Sequence, residues 1–434
     1  MNIYSDIYRS FQRVLMNQKR CNIALEIAEQ SKMKTFQESC SLINYSHLTT
    51  FNHHKMQELI KGVKTTLVYY SVLYDENQFY RFHRFHRLPK GENNVYFYPT
   101  EILIWVIKPT GETYCEQVDL THFWQEEMLS LGGLIRQLNE EKNQEDLEEY
   151  QQNLSNLYKL LIKPIAQYLP TNPEEIITIC PQDFLYLLPF SALINERGES
   201  LIENHSLITI PSLSLLELAY NNQLYHQENL TKSSYFLMGN PSMPHIWLAE
   251  EKYPFILPNL IEGEAEINTI SALFNLTSIQ GSYATKNQII EQIKRANILH
   301  FTTYSLLSEL GGFPGAIALS PSMEDQGLLT PEEVAKLKLK GSLVTISHGY
   351  RKSSYIWGNS VEKIVTAFIL AGMENILLAL WQNDHPANTL LLKEFYQNLQ
   401  QNDQKAKALR QAMLTVKKAY PHPLNWAYFS LFGI

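Results

Sequence analysis

Residues able to do chemistry collect near the ends of two strongly apolar runs. The first, I-L-H-F-T-T-Y-S (298–305), carries His300 and Tyr304; the second, S-L-V-T-I-S-H-G-Y-R (342–351), carries Ser347, His348 and Gly349. Both are β-branched and aromatic and read as strands. In an open α/β sheet, reactive groups gather just beyond the carboxyl ends of neighbouring strands; the ends here are Tyr304 and Gly349. Ser347 is a candidate nucleophile for a hydrolase that uses no thiol, with His348 as a candidate base. Strand alternation sends adjacent side chains to opposite faces, which works against that pairing. Tyrosine, with a reference pKa of ~10, is a poor proton shuttle near neutrality. His300, in a strand interior, reads as a satisfied core histidine. The four cysteines, Cys21, Cys40, Cys115 and Cys180, include no C-x-x-C pair, and none follows Cys180. They do not resemble a disulfide framework, so a reducing, cytoplasmic setting is expected. Cys180 itself reads as a small buried filler. His53 and His54 are adjacent rather than four apart, the wrong spacing for two metal ligands on a helix. No metal site and no cofactor are expected.

The elements that must position these residues alternate. Strand signals at 176–180, 207–210, 235–238, 298–303, 316–319, 343–347 and 376–381 are interleaved with helix signals at 263–274, 286–295 and 359–371. That alternation predicts an α/β fold, a mostly parallel sheet flanked by helices, over residues 171–434. Ahead of it, residues 1–62 read as a helical segment whose run A-L-E-I-A-E-Q-S-K (24–32) resembles the last helix of a tetratricopeptide unit. One such unit cannot bury its apolar face alone and must pack on the next part of the chain. Residues 63–170 read as a small β-rich region, with paired strands at 65–74 and 101–109, followed by a long amphipathic connecting helix at 144–161.

The 434 residues carry a net charge of −8 with acids and bases interspersed, so no polybasic tract favours nucleic acid or anionic lipid. The basic run F-H-R-F-H-R (82–87) is read as a solvated face. Residues 1–15 lack an apolar core run, so no secretory signal is expected. The most apolar later segment, 367–381, is interrupted by Glu374 and too short to span a bilayer.

From residue 181 onwards the order of short motifs resembles the CHAT family, caspase-like domains that commonly follow tetratricopeptide repeats in bacterial proteins. The pieces are P-Q-D-F-L-Y-L-L-P-F-S-A-L (181–193), G-N-P-S-M-P (239–244), L-P-N-L-I-E-G-E-A-E-I (257–267) and G-S-Y-A-T-K (281–286). Then come G-L-L-T-P-E-E-V (327–334), A-G-M-E-N-I-L-L-A-L-W (371–381), A-L-R-Q-A-M-L (408–414) and N-W-A-Y-F-S-L-F-G (425–433). In members that act as cysteine proteases, the two central strands end H-x-A-T-H-G and S-A-C-[DE]-T, the second histidine and the cysteine forming the dyad. Laid on this chain, the histidine position is Tyr304 and the cysteine position is Gly349, while the acidic position after it is Tyr350.

The resemblance therefore implies a caspase-like α/β domain without its dyad: a pseudoprotease that binds a protein partner as a scaffold, adaptor or regulatory subunit. The partners it implies are a repeat protein, an active caspase-like protease or a larger assembly. Tyr350, Arg351, Tyr355, Trp357 and Asn359 form a candidate partner-binding rim, since Tyr, Trp and Arg dominate binding hot spots; equally, the aromatics could fill the vacated cleft. Two other readings stand beside it: a hydrolase with altered, non-cysteine chemistry, and a sensor of peptides or small molecules using the former substrate cleft.

Overall fold

The computed structural model describes residues 3–39, 51–74, 99–121, 131–138, 147–229, 234–247, 252–307, 313–350, 358–383 and 386–434. Three helices lead, α1 (Ile3–Asn17), α2 (Cys21–Ser39) and α3 (His53–Val63), and three strands come next, β1 (Thr66–Tyr74), β2 (Pro99–Ile107) and β3 (Thr113–Asp119). After α4 (Leu131–Leu138) and α5 (Leu147–Leu161) come β4 (Ile176–Cys180), α6 (Leu201–Asn204), β5 (Ser206–Thr209), α7 (Leu213–Asn229) and β6 (Tyr235–Pro241). A two-stranded ribbon, β7 (His245–Ile246) and β8 (Phe255–Ile256), precedes α8 (Gly263–Phe274), β9 (Ile279–Gly281), α9 (Lys286–Ile293) and β10 (Ile298–Leu306). The chain continues through β11 (Ile317–Ala318), β12 (Leu328–Leu329), α10 (Pro331–Lys336), β13 (Gly341–Tyr350), α11 (Asn359–Ala371) and β14 (Met373–Ala379). It closes with α12 (Pro386–Gln401), α13 (Lys405–Ala419) and β15 (Phe429–Gly433).

Among the described residues one sheet of 13 strands runs β12-β11-β10-β13-β14-β15-β5-β4-β1-β2-β3, with β6 also on β10 and β9 on β6. The pairs β6/β10, β10/β13 and β13/β14 are parallel, as are β15/β5, β5/β4 and β4/β1; β14/β15 and the meander β1/β2/β3 are antiparallel. The expected α/β architecture is therefore present. β10 and β14 are buried along their whole length, which is why neither shows the apolar–polar alternation of a half-exposed strand. Helix starts obey local chemistry. Thr330 and Glu333 form a capping box around Pro331, the Thr330 side chain accepting from the Glu333 amide and Glu333 from the Thr330 amide.

The sheet does not stop at residue 170. Thr66–Tyr69 of β1 align in parallel with Ile177–Cys180 of β4, so the strands of the expected β-rich region continue the main sheet. The N-terminal helices pack on it too: Leu15, Leu25 and Ala28 share the core of the sheet. Buried polar bonds fix their register. Glu29 accepts from the Tyr69 hydroxyl (3.1 Å) and the Ser214 amide (3.1 Å), and Lys32 donates to the Pro181 carbonyl (2.7 Å). Among the described residues no helix is long and apolar enough to cross a membrane.

The expectation that the cysteines form no disulfide framework is corrected at one pair. Cys21 of α2 and Cys115 of β3 pair as a disulfide, with Cα atoms 6.5 Å apart. The meander places Cys115 opposite Trp105, and the Trp105 indole donates to the Cys21 carbonyl (3.0 Å), so the two cysteines are neighbours only after β1–β3 have formed. The bond closes a separation of 94 residues, and cross-linking restricts the unfolded chain by about 4–5 kcal/mol on the chain-entropy account. Reductant should therefore lower the urea midpoint by an amount equivalent to about 2–4 kcal/mol. Cys115→Ser should lower it similarly and abolish the response to reductant, which equilibrium unfolding with and without dithiothreitol measures.

Candidate functional site

The two strands singled out by their chemistry lie side by side. β10 and β13 run parallel, with His300 opposite Thr345 and Phe301 opposite Ile346. Beyond Phe301 the register slips: three steps along β10, to Tyr304, match two along β13, to His348. The extra residue in β10 is a bulge, a device that re-aims side chains near a strand's end. Its result is that Tyr304 sits beside His348, and Ser305 beside Gly349.

Tyr304 is fully buried, its ring 6.0 Å from that of His348 and 5.4 Å from that of Tyr350, both edge-on. Around it Met243, Ile246, Leu257, Leu260 and Leu306 form a satellite core against which Phe255 and Tyr350 pack. Gly349 has no room for a side chain. A Cβ there would lie 2.5 Å from the Ala379 carbonyl oxygen, 2.8 Å from Leu307 Cδ1 and 3.0 Å from the Leu380 carbonyl carbon. Two of those three are backbone atoms of the segment leaving β14, which cannot rotate away.

Ser347 and His348 are not assembled as nucleophile and base. The Ser347 hydroxyl donates to the Phe301 carbonyl (3.4 Å), while His348 turns to a carboxylate, Glu266 of α8. Glu266 is the centre of a fully buried polar cluster. Its Oε1 accepts from the Thr302 hydroxyl (2.6 Å) and lies 3.3 Å from His300 Nε2; its Oε2 accepts from Asn388 Nδ2 (2.6 Å) and lies 3.3 Å from His348 Nε2. A second layer holds the first: His300 Nδ1 bonds the Tyr396 hydroxyl (2.9 Å), Tyr396 reaches Thr345 (2.9 Å), and the Tyr428 hydroxyl donates to Asn388 Oδ1 (2.5 Å). Burial would raise the Glu266 pKa, but the hydrogen bonds and charges of His300 and His348 outweigh it and hold the carboxyl well below the usual range. His300 is thus the satisfied core histidine its strand position suggests, and His348 is hydrogen-bonded and buried. Glu266 was legible only as part of the 257–267 motif. The available signal was a glutamate on the same helical face as Gly263, Ile267 and Ile270, all of which are buried.

Of the candidate rim, Tyr350 is half-buried, its ring 5.8 Å from Phe255 and its hydroxyl pKa raised by burial. Asn359 is exposed at the start of α11. Arg351, Tyr355 and Trp357 lie outside the described residues, as does the basic run at 82–87. Cys180 sits on β4, four strands from β13, buried beside Lys32 Nζ (3.2 Å), with burial pushing its thiol up to about 12. His53 bonds the Thr113 hydroxyl (2.9 Å) and His54 lies exposed beside Glu58. Among the described residues no group of three His, Cys, Asp or Glu side chains could hold a metal ion.

This geometry has two measurable consequences. The Glu266 carboxyl is depressed below its unfolded value of about 4.3, so its stabilisation is complete above that pH and is lost as pH falls toward the folded pKa. Glu266→Gln should cost about 3–5 kcal/mol at neutral pH and flatten the acid limb of a stability–pH profile measured by urea unfolding. Gly349→Ala should cost about 1–3 kcal/mol through forced backbone shifts, measured the same way, whereas Ser347→Ala should be milder because it removes one long hydrogen bond.

Comparison with known proteins places this geometry in a family. A family model described as CHAT domain matches residues 151–434. Human Tetratricopeptide repeat protein 28 is 26% identical over 324 residues, covering 64% of this chain, and its mouse counterpart shows the same values. The chain spans only 13% of either relative's length, and both relatives are mammalian. Among solved structures, a chain of the crystal structure of the Saccharomyces cerevisiae separase–securin complex superposes with a TM-score of 0.56 at 9% identity. The match covers 94% of this chain and 33% of that one. It speaks for the fold alone. A family model that matches well over half of the chain shows that this chain belongs to the CHAT-domain family.

Proposed function

We propose that this protein is a catalytically inactive CHAT-domain member, a pseudoprotease that works by binding a protein partner as a scaffold, adaptor or regulatory subunit. The observation that carries the reading is Gly349. The position at which the family's proteases hold their nucleophile has no side chain, and backbone atoms occupy the space a Cβ would need. Thiol proteolysis needs a thiolate activated by a nearby imidazole. Here Tyr304 replaces that imidazole and is packed into a core. The described free thiol, Cys180, is buried on a distant strand with a raised pKa. A serine-based hydrolase finds little support, since Ser347 and His348 bond different partners and both are buried.

Partner binding is supported by how well the rest is kept: a protein that neither cuts nor binds has no use for the buried hydrogen-bonded cluster that Glu266 holds around its former site. The relatives are named for tetratricopeptide repeats, and the structural neighbour is an assembly of two proteins, which fits a partner of that kind.

The test has two arms. Purified protein incubated with a peptide library should give no cleavage that thiol alkylation blocks; efficient alkylation-sensitive cleavage would defeat the reading. Affinity purification with mild cross-linking should recover a stoichiometric partner, and the same experiment on a variant carrying Tyr350→Ala and Trp357→Ala reports whether the rim contributes. A ligand-dependent rise in Tm with no protein partner would favour the sensor instead.

A further inference from the structure

The satellite core around Tyr304 has an outer side. Met243 and Ile246, which pack against Tyr304, belong to the segment that forms the β7/β8 ribbon. Three loops converge beside it. The Ser242 amide donates to the Ser320 hydroxyl (2.9 Å), which donates to the Gly281 carbonyl (2.7 Å), and the Ser320 amide donates to the Ala284 carbonyl (2.9 Å). Between the ribbon and the loop 321–326 lies an open groove of about 420 Å³, lined by Met243, His245, Trp247, Met323, Glu324 and Asp325 among others.

The groove carries more apolar surface than a solvated loop cluster requires. Trp247 is 58% exposed and Met323 is wholly exposed, and on the converging elements Tyr283 and Ile256 are 76% and 58% exposed. Tryptophan and methionine together are the side chains of adaptable binding surfaces. The net charge beside them is negative. Asp325 and Glu333 share a single ammonium, Lys286, at 2.5 and 2.8 Å, while Glu324 bonds only the Asn287 amide (3.3 Å) and meets no described cation. Lys252, the cation at the ribbon, lies 5.7 Å from the Tyr253 ring and does not line the groove.

We infer that this groove binds an extended segment of a partner protein in which a lysine or arginine stands next to a large apolar side chain. The apolar group lies between Trp247 and Met323, and the cation meets Glu324 and the excess charge of the Asp325–Lys286–Glu333 triad. The volume suits two or three side chains rather than a folded domain. The inference rests on the partner-binding reading and deepens it: the docking face lies on the outer side of the core that Tyr304 fills, rather than on the rim beyond β13.

The test uses the full chain and an array of fluorescent pentapeptides with Leu, Phe or Met flanking a central Lys, Arg, Glu or Ser, read by anisotropy. Lys- and Arg-centred peptides should bind about tenfold tighter than Glu-centred ones. Trp247→Ala should weaken all of them, and Glu324→Lys should invert the preference while the unfolding midpoint stays unchanged. Equal binding of Lys and Glu peptides, indifference to Trp247→Ala, or no binding by any peptide would overturn the inference. A partner recovered by affinity purification but cross-linked elsewhere would overturn it while leaving the pseudoprotease reading intact; alkylation-sensitive cleavage would overturn that reading instead.

Discussion

A carboxylate taken wholly out of water must be surrounded by donors or it will not stay ionised, and Glu266 is surrounded by four. Thr302 and His300 come from β10, His348 from β13 and Asn388 from α12, so one anion binds two strands and two helices into a single arrangement. Desolvation of such a group costs several kcal/mol, recovered only when the geometry is good and every remaining lone pair is met. Tyr396, Thr345 and Tyr428 complete that condition by holding the donors in place. A cluster of this kind tolerates little: removing one member leaves a charge or a dipole with no partner and no water.

The same constraint shapes the ends of β10 and β13. His348 is committed inwards to Glu266, so strand alternation turns the next residue, Gly349, the other way, where the chain leaving β14 passes close by. The bulge in β10 then sets Tyr304 against His348 rather than against position 349. Position 349 therefore both lacks a side chain and is closed in by the backbone leaving β14.

Aromatic side chains beside the ends of β10 and β13 are divided by the fold. Tyr304 and Tyr350 pack with Phe255 and hold the β7/β8 ribbon down, while Trp247 faces outwards from the same segment. Packing around Tyr304 and facing solvent are thus tasks of different residues on the two sides of one small core.

Much of this was legible in the chain. Runs rich in β-branched, aliphatic and aromatic residues marked β10, β13 and β14, since strands buried on both faces need no alternation, and helices 263–274 and 359–371 keep the bounds their periodicity predicted. The residue types at the two strand ends, Tyr304 and Gly349, were legible there as well. What no local pattern carried was pairing over long range. Glu266 finds His348 far along the sequence, β15 slips between β14 and β5, the meander joins β4, and Cys21 meets Cys115. Each depends on how sheet order, bulge and helix packing bring distant residues together. Periodicity reports which side of an element is buried, and only the tertiary structure decides what it is buried against.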